Sequence, residues 1–546
     1  MVPNTRRALV ALTAASGLTL SGCAQPVETS TVHWASADPR HSDPGPGAPA
    51  AKTQGPRPSH GKTRGQSQPV IEGRTEVEPA PYTAPKRKPN IFLITTDDAA
   101  PDDLRYMPNV RKLIAAQGTT FTNGIAPTPI CVPARASLLT GQYTHNHGAL
   151  TISGQGGGFA AFDDRNTLPV WLHRAGYDTM FVGKYLNGYG NGRAGRTYVP
   201  PGWSDWRGSI DPVTYDFSQA KLSVNGRVRS TQRYNTDVFA DNVAAMLKHE
   251  RRTKKPWYMW VNYVAPHFGG PRDPDDPLVT HPKNKKAPKT PSPAKRHRDK
   301  FKHLALPDKP NMFEANTSDK PRTSAARKNA GAYGKTERKL MRELYQQRIE
   351  SLQAVDEAVG RHIRILKRTG QLSRTIIVFS SDNGYMVGEH NIDGKLWHYR
   401  ESSTIPMVMR GPGIPRDQRR HVPVTNPDLP VSFAAAAGAE PGRDVDGVNV
   451  FAHLDRANQV RVVPLEAYPV RGGRKRIYSG IRVGPWTYVK YHRDGGPEEL
   501  YNHTDDPHEL LSRTGKRYQA QLAELRELNR TYRNCQGTNC PQTFYR

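Results

Sequence analysis

Four near-continuous runs of apolar and β-branched residues constrain this chain more than any other feature. They are Asn90 to Thr96, Asp178 to Val182, Trp257 to Tyr263 and Thr375 to Phe379. In each run both alternating sets of side chains are largely apolar, so a strand formed there must bury both faces. That is the pattern of parallel strands in a sheet covered by helices on both sides. Each run also leads into polar chemistry: Asp97-Asp98, Gly183-Lys184, Ala265-Pro266-His267, and Ser380-Ser381-Asp382-Asn383-Gly384. Open α/β sheets bind ligands at the carboxyl edge of their strands. Four ends of this kind point to one shared site.

Helical patterns fall between these runs. Met107 to Gln117 is amphipathic and stops at Gly118. Leu168 to Ala175 has Thr167 as a candidate N-cap, Pro169 in the first turn and Gly176 as a stop. Lys339 to Lys367 carries Leu340, Leu344, Ile349, Leu352, Val355 and Val359 along one face. The alternation predicts an α/β fold, a large mostly parallel sheet sandwiched by helices, for residues 88–470. From about Arg471 the character changes. Arg476 to Val483, Trp486 to Tyr491 and Glu499-Leu500-Tyr501 read as antiparallel strands, followed by a helix from Arg517 to Tyr532. This predicts a smaller C-terminal α+β subdomain over 471–546. Residues 270–332 form an insertion rich in Lys, Pro and Ser, with a basic run from Lys283 to Lys302. It shows no core pattern and is expected to be a solvated surface loop, or an electropositive rim that gathers anionic substrate near His267.

The N-terminus reads as an export signal. Arg6 and Arg7 precede an apolar stretch, Ala8 to Leu20, that is too short to span a bilayer. It ends at Leu20-Ser21-Gly22-Cys23, which resembles a bacterial lipoprotein processing box. Residues 1–22 are then a signal peptide, and Cys23 carries a lipid that anchors the chain to the membrane outside the cytoplasm. The arginine pair also resembles a twin-arginine signal. Residues 23–87 are rich in Pro, Ser, Gly and Thr and predict a disordered tether. Cys535 and Cys540 frame a short loop whose disulfide suits an oxidising compartment. Two thiolates without a neighbouring histidine do not complete a zinc site. The net charge of +28 favours anionic partners, but no zinc-finger spacing or RNA-binding signature accompanies it, so nucleic acid is not an expected partner.

One motif decides between these anionic partners. Cys131-Val132-Pro133-Ala134-Arg135 runs on into Ala136-Ser137-Leu138-Leu139-Thr140-Gly141. The Cys-x-Pro-x-Arg core resembles the signature of the sulfatase family. In that family a formylglycine-generating enzyme oxidises the cysteine to an aldehyde, whose hydrate attacks sulfur in a sulfate ester. The resemblance implies that Asp97, Asp98, Asp382 and Asn383, with position 131, hold a divalent cation, Ca²⁺ or alternatively Mg²⁺. Hard oxygen donors suit either ion. It implies that Arg135 orients the nucleophile, that Lys184 and Lys395 grip sulfate oxygens, and that His267 protonates the leaving group. Cys131 is expected just before a helix start, where bound anions are favoured.

The match has one departure. Many family members carry a histidine two residues after the lysine equivalent to Lys184; here Leu186 occupies that place, in Lys184-Tyr185-Leu186-Asn187. His145 or His147 is a candidate replacement base. The same variant, with Tyr198-Val199-Pro200-Pro201-Gly202-Trp203, resembles N-acetylglucosamine-6-sulfatases and heparan 6-O-endosulfatases. The expected function is hydrolysis of sulfate monoesters of sulfated sugars or aryl sulfates. Two rivals remain at this stage: a phosphonate or phosphodiester hydrolase of the same superfamily, and a non-catalytic surface lipoprotein that binds polyanions.

Overall fold

The computed structural model describes residues 69–546 apart from 72, 83–84, 193–194, 274–288 and 456–457. The export signal, Cys23, most of the expected tether and the first part of the basic run lie outside the described residues.

The four apolar runs form the centre of a ten-stranded sheet. We label them β1 (Asn90–Thr96), β2 (Asp178–Gly183), β3 (Trp257–Asn262) and β4 (Thr375–Ser381). They lie in the order β4, β1, β3, β2, all parallel, and Asp205–Ser209 extends the parallel set beyond β2. The margins are mixed. Met407–Arg410 pairs antiparallel with β4 on one side, and a hairpin of Ala220–Val224 and Arg227–Thr231 closes the other.

Register explains why the runs are apolar throughout. Val378, Leu93, Trp260 and Phe181 lie side by side in one row across the four strands. That row packs into one core, while Ile377, Phe92, Met259 and Met180 pack into the core on the opposite face. The first core is covered by α1 (Cys131–Thr140) and by the helices Leu168–Arg174 and Asp428–Ala437. The second is covered by Asn235–Lys248 and α2 (Lys335–Arg368).

Several boundaries differ from the sequence reading. Among the described residues, ordered pairing already involves residues 70–77, ahead of Lys88. Glu76–Val77 pairs with Phe544–Tyr545, and the N–H groups of Val70 and Ile71 each donate to the Glu524 carboxylate at 2.7 Å. Backbone pairing holds this stretch, and among its described residues only Val70 and Val77 are buried, so no apolar pattern announces it. The C-terminal sheet has four strands, starting with Val463–Ala467, so the subdomain begins before residue 471. A disulfide joins Cys535 to Cys540.

The described part of the insertion is not a solvated loop. Asn311 is fully buried, and Lys320 is buried with its ammonium on Glu314 at 2.7 Å and on the Leu510 carbonyl at 3.0 Å. Arg296 is paired with Asp237 and Glu357. Arg296 and Lys320 are thus neutralised locally, and polar anchors replace the apolar pattern that the sequence lacks.

Candidate active site

The carboxyl ends of the four strands meet as the sequence pattern requires. Asp97 and Asp98 leave β1, Lys184 leaves β2, His267 follows β3, and Asp382 and Asn383 leave β4. All six are buried. Asp98 adopts φ of 77°, a left-handed conformation uncommon outside glycine, and its N–H donates to Asp382 Oδ1 at 3.2 Å. Asn383 Nδ2 donates to Asp98 Oδ1 at 2.7 Å. Carboxylate oxygens of Asp97, Asp98 and Asp382 lie within 4.8 Å of one another.

Cys131 is the first residue of α1 rather than the one before it, and the helix stops at Gly141, whose φ is 71°. Its Sγ is 3.5 Å from Asp97 Oδ1 and 2.8 Å from Lys395 Nζ. Arg135, one turn on, donates Nε to Asp382 Oδ2 at 2.9 Å and reaches Asp97 at 3.4 Å. A second guanidinium nitrogen donates to the Lys184 carbonyl at 3.0 Å, tying α1 to the end of β2. Lys184 is drawn onto Asp97, and Lys395 onto Asp98. The metal-ligand candidates, Cys131, Arg135, Lys184 and Lys395 therefore fall within one cluster, with His267 at its edge.

The electrostatics follow from three carboxyls sharing a dry space with three cations. Burial pushes Asp97 up, but the Lys184, Arg135 and Lys395 cations hold its carboxyl well below the usual range. Asp382 is pushed up to about 6 by burial and by Asp97. Burial and Asp97 push the Cys131 thiol up to about 12, so an unmodified cysteine here is not a thiolate nucleophile. Burial holds His267 well below its ordinary value despite Asp97. Its Nδ1 donates to the Phe268 carbonyl at 2.8 Å, which leaves a lone pair on Nε2, 3.9 Å from Asp98. Added negative charge nearby would raise its proton affinity.

The donors fit a hard divalent cation. Asp98 Oδ2 and Asn383 Oδ1 are buried without a hydrogen-bond partner, beside the three clustered carboxylates. Oxygen donors alone, with orphaned lone pairs converging, are the chemistry of Ca²⁺ or Mg²⁺ sites.

His145 and His147 are not placed to serve as a base. His145 Nδ1 is 2.8 Å from Glu466 and Nε2 is 2.9 Å from the Cys535 carbonyl, so it links α1's following turn to the C-terminal subdomain. His147 contacts Ser137 at 3.2 Å and is held neutral by burial, down to about 3. Leu186 is buried in the apolar core. Two residues escaped the sequence reading. Arg348 of α2 donates to the Asp98 carbonyl at 2.5 Å and lies 3.6 Å from Asp103. Tyr215 lies under Lys184, with Nζ 4.8 Å from the ring centre. An arginine inside an otherwise apolar helix face is a readable signal for the first. None marks the second, which comes from a short loop after Asp205–Ser209.

Comparison with known proteins agrees with this geometry. The sulfatase family model matches residues 89–439. The arylsulfatase of Volvox carteri is 30% identical over 508 residues, spanning 84% of this chain and 76% of that protein. Human N-acetylglucosamine-6-sulfatase is 28% identical over 389 residues, 68% of this chain and 66% of that protein. Among solved structures, BT4656 in complex with its substrate D-glucosamine-2-N,6-O-disulfate superposes with a TM-score of 0.65 at 22% identity, covering 81% of this chain and 97% of that one. The chain belongs to the sulfatase family, and it is a sulfuric ester hydrolase.

Proposed function

We propose that this enzyme removes sulfate from a sulfated sugar, of the 6-O-sulfated amino-sugar class, through a formylglycine at position 131 and a Ca²⁺ ion. The observation that carries the proposal is the convergence of Cys131 on Asp97 at 3.5 Å and Lys395 at 2.8 Å, beside the three-carboxylate cluster. The substrate class is supported by the Lys184-Tyr185-Leu186-Asn187 variant and by the likeness to human N-acetylglucosamine-6-sulfatase.

Asp97, Asp98, Asp382 and Asn383 would hold the cation, which polarises the sulfate and neutralises its charge when bound. The aldehyde at 131 supplies, as its hydrate, one hydroxyl to attack and a second through which the sulfate is later expelled. Arg135 fixes Asp382 and the end of β2 around that nucleophile. Lys184 and Lys395, which lie against Asp97 and Asp98 in this cluster, would offer their ammonium groups to sulfate oxygens. His267 Nε2 gains a proton as the anionic substrate enters and gives it to the departing alcohol oxygen.

The same reading includes a formylglycine-generating enzyme acting on the precursor, export by the twin-arginine route, and a lipid anchor at Cys23 on the outer face of the cell membrane. Nucleic acid is not a partner in it. No helix among the described residues is long and apolar enough to cross a membrane. Initial rates on 4-nitrophenyl sulfate, N-acetylglucosamine 6-sulfate, a phosphonate ester and a phosphodiester test the function. Sulfate esters are expected to turn over fastest, and preference for either phosphorus ester would contradict it.

A further inference from the structure

The loop Asp211 to Phe217 is built into the site although nothing in the motif pattern marks it. Tyr215 presents its ring to the Lys184 ammonium at 4.8 Å and to the His267 ring at 5.0 Å between centroids. Its hydroxyl oxygen accepts from Asn187 Nδ2 at 2.8 Å, which leaves the phenolic proton free to be donated elsewhere. Asn187 is three residues after Lys184, on the same strand exit, while Leu186 between them turns into the core.

Backbone contacts fix the loop against the loop that carries His267. The Gly270 N–H donates to the Tyr215 carbonyl at 2.8 Å, and the Phe217 N–H donates to the Gly270 carbonyl at 2.5 Å. Gly269 has no room for a side chain, because a Cβ would meet the Tyr215 carbonyl oxygen at 2.2 Å. Tyr215 and His267 are therefore tied to one another through the Gly269–Gly270 backbone, with Lys184 seated on the same ring.

We propose that Tyr215, held by Asn187 and by the Gly269–Gly270 backbone, is the positioning residue that aims Lys184 and His267 at the sulfate and its leaving oxygen. The proposal rests on the reading of those two side chains as substrate-facing. An aromatic face attracts an ammonium and limits where it can swing, without competing for it as a carboxylate does. Burial holds the phenol well above its ordinary value, so no second anion appears next to the sulfate.

The test uses the metal-loaded, full-length protein carrying Tyr215→Leu, Tyr215→Phe, Asn187→Leu and the Tyr215→Phe/Asn187→Leu pair. Two readouts are taken: inorganic sulfate binding by calorimetry, and kcat and KM on 4-nitrophenyl sulfate. Loss of the ring is expected to weaken sulfate binding about tenfold. It should lower kcat about 30- to 100-fold, the scale of a misaimed catalytic group. Phenylalanine, which keeps the ring, should restore sulfate affinity and cost about threefold to tenfold in kcat, the worth of one hydrogen bond. Asn187→Leu should match Tyr215→Phe, and the pair should be no worse than either alone, because they remove one shared bond. A purely structural role would lower thermal stability without the rescue by phenylalanine. Sulfate affinity and kcat in Tyr215→Leu within about threefold of the parent would overturn the proposal. If the parent itself fails to release sulfate, the function reading fails, and the sulfate-binding pattern still decides this one.

Discussion

Nζ of Lys395 lies 2.8 Å from Sγ of Cys131, although 264 positions separate them in the chain. The lysine directly follows the short strand Asp393–Gly394, which pairs with Met386–Val387 outside the large sheet, and the cysteine opens the first turn of α1. Burial works against the ammonium, but Asp98, Cys131 and Asp97 raise its proton affinity well above the ordinary value, so it stays charged at any working pH. A fixed positive charge beside position 131 is placed to hold the oxygens of a bound sulfate next to the nucleophile.

Lys395→Met should therefore lower kcat/KM by about 100- to 1,000-fold, as loss of one preorganised donor does. Steady-state rates on 4-nitrophenyl sulfate measure it. An effect below about threefold would remove Lys395 from the reaction.

Cation affinity should depend on pH through Asp382, whose carboxyl burial and Asp97 push up to about 6. The ion binds the deprotonated form, so apparent Ca²⁺ affinity should be level above pH 6 and fall about tenfold per unit below it. Calorimetry in two buffers of different ionisation heat would show protons released on binding at pH 5.5 and none at pH 8.

Arg348→Met should weaken Ca²⁺ binding about tenfold to 100-fold, the usual effect of losing an outer-shell support. Its guanidinium fixes the Asp98 carbonyl at 2.5 Å and stacks 4.3 Å from the Tyr385 ring. Titration of the metal-free protein with Ca²⁺ checks it without reference to turnover.

The His145–Glu466 pair should hold the C-terminal subdomain to α1's following turn. Both side chains are buried, and Arg476 also binds Glu466 at 2.9 Å. His145→Gln should destabilise folding by about 2–3 kcal/mol, less than an orphaned buried charge because Arg476 remains. Glu466 raises His145 above its ordinary 6.5, so that contribution is full below pH 6.5 and fades as pH rises through the higher folded value. Burial opposes ionisation of Glu466, but His145 and Arg476 lower it from 4.5 to about 2, so its contribution is full above pH 4.5 and fades as pH falls towards 2. The gap between parent and variant in denaturant unfolding should be widest between pH 4.5 and 6.5.

The central sheet and most of the site were legible because they obey local rules. A strand buried on both faces must be apolar throughout, and the charged residue that ends it is conspicuous; β1 to β4 announce Asp97, Lys184, His267 and Asp382 in this way. The reading failed where structure rests on backbone pairing or on scattered polar anchors. Glu76–Val77 joins Phe544–Tyr545 with hardly any apolar signal. The insertion packs through Asn311, Glu314 and Lys320, residues that look like surface in a list of letters. Tyr215 belongs to no pattern, and its place depends on how the loop after Asp205–Ser209 crosses the loop after β3.

The most direct test relates sulfate release to the chemical state of position 131. Several preparations of the purified enzyme, differing in the extent of oxidation, would be assayed on 4-nitrophenyl sulfate. The aldehyde fraction in each is read from the peptide mass, about 18 Da below the cysteine form. The account predicts activity proportional to that fraction, falling to the background rate in Cys131→Ala. Equal activity in fully unconverted protein, or in Cys131→Ala, would contradict it.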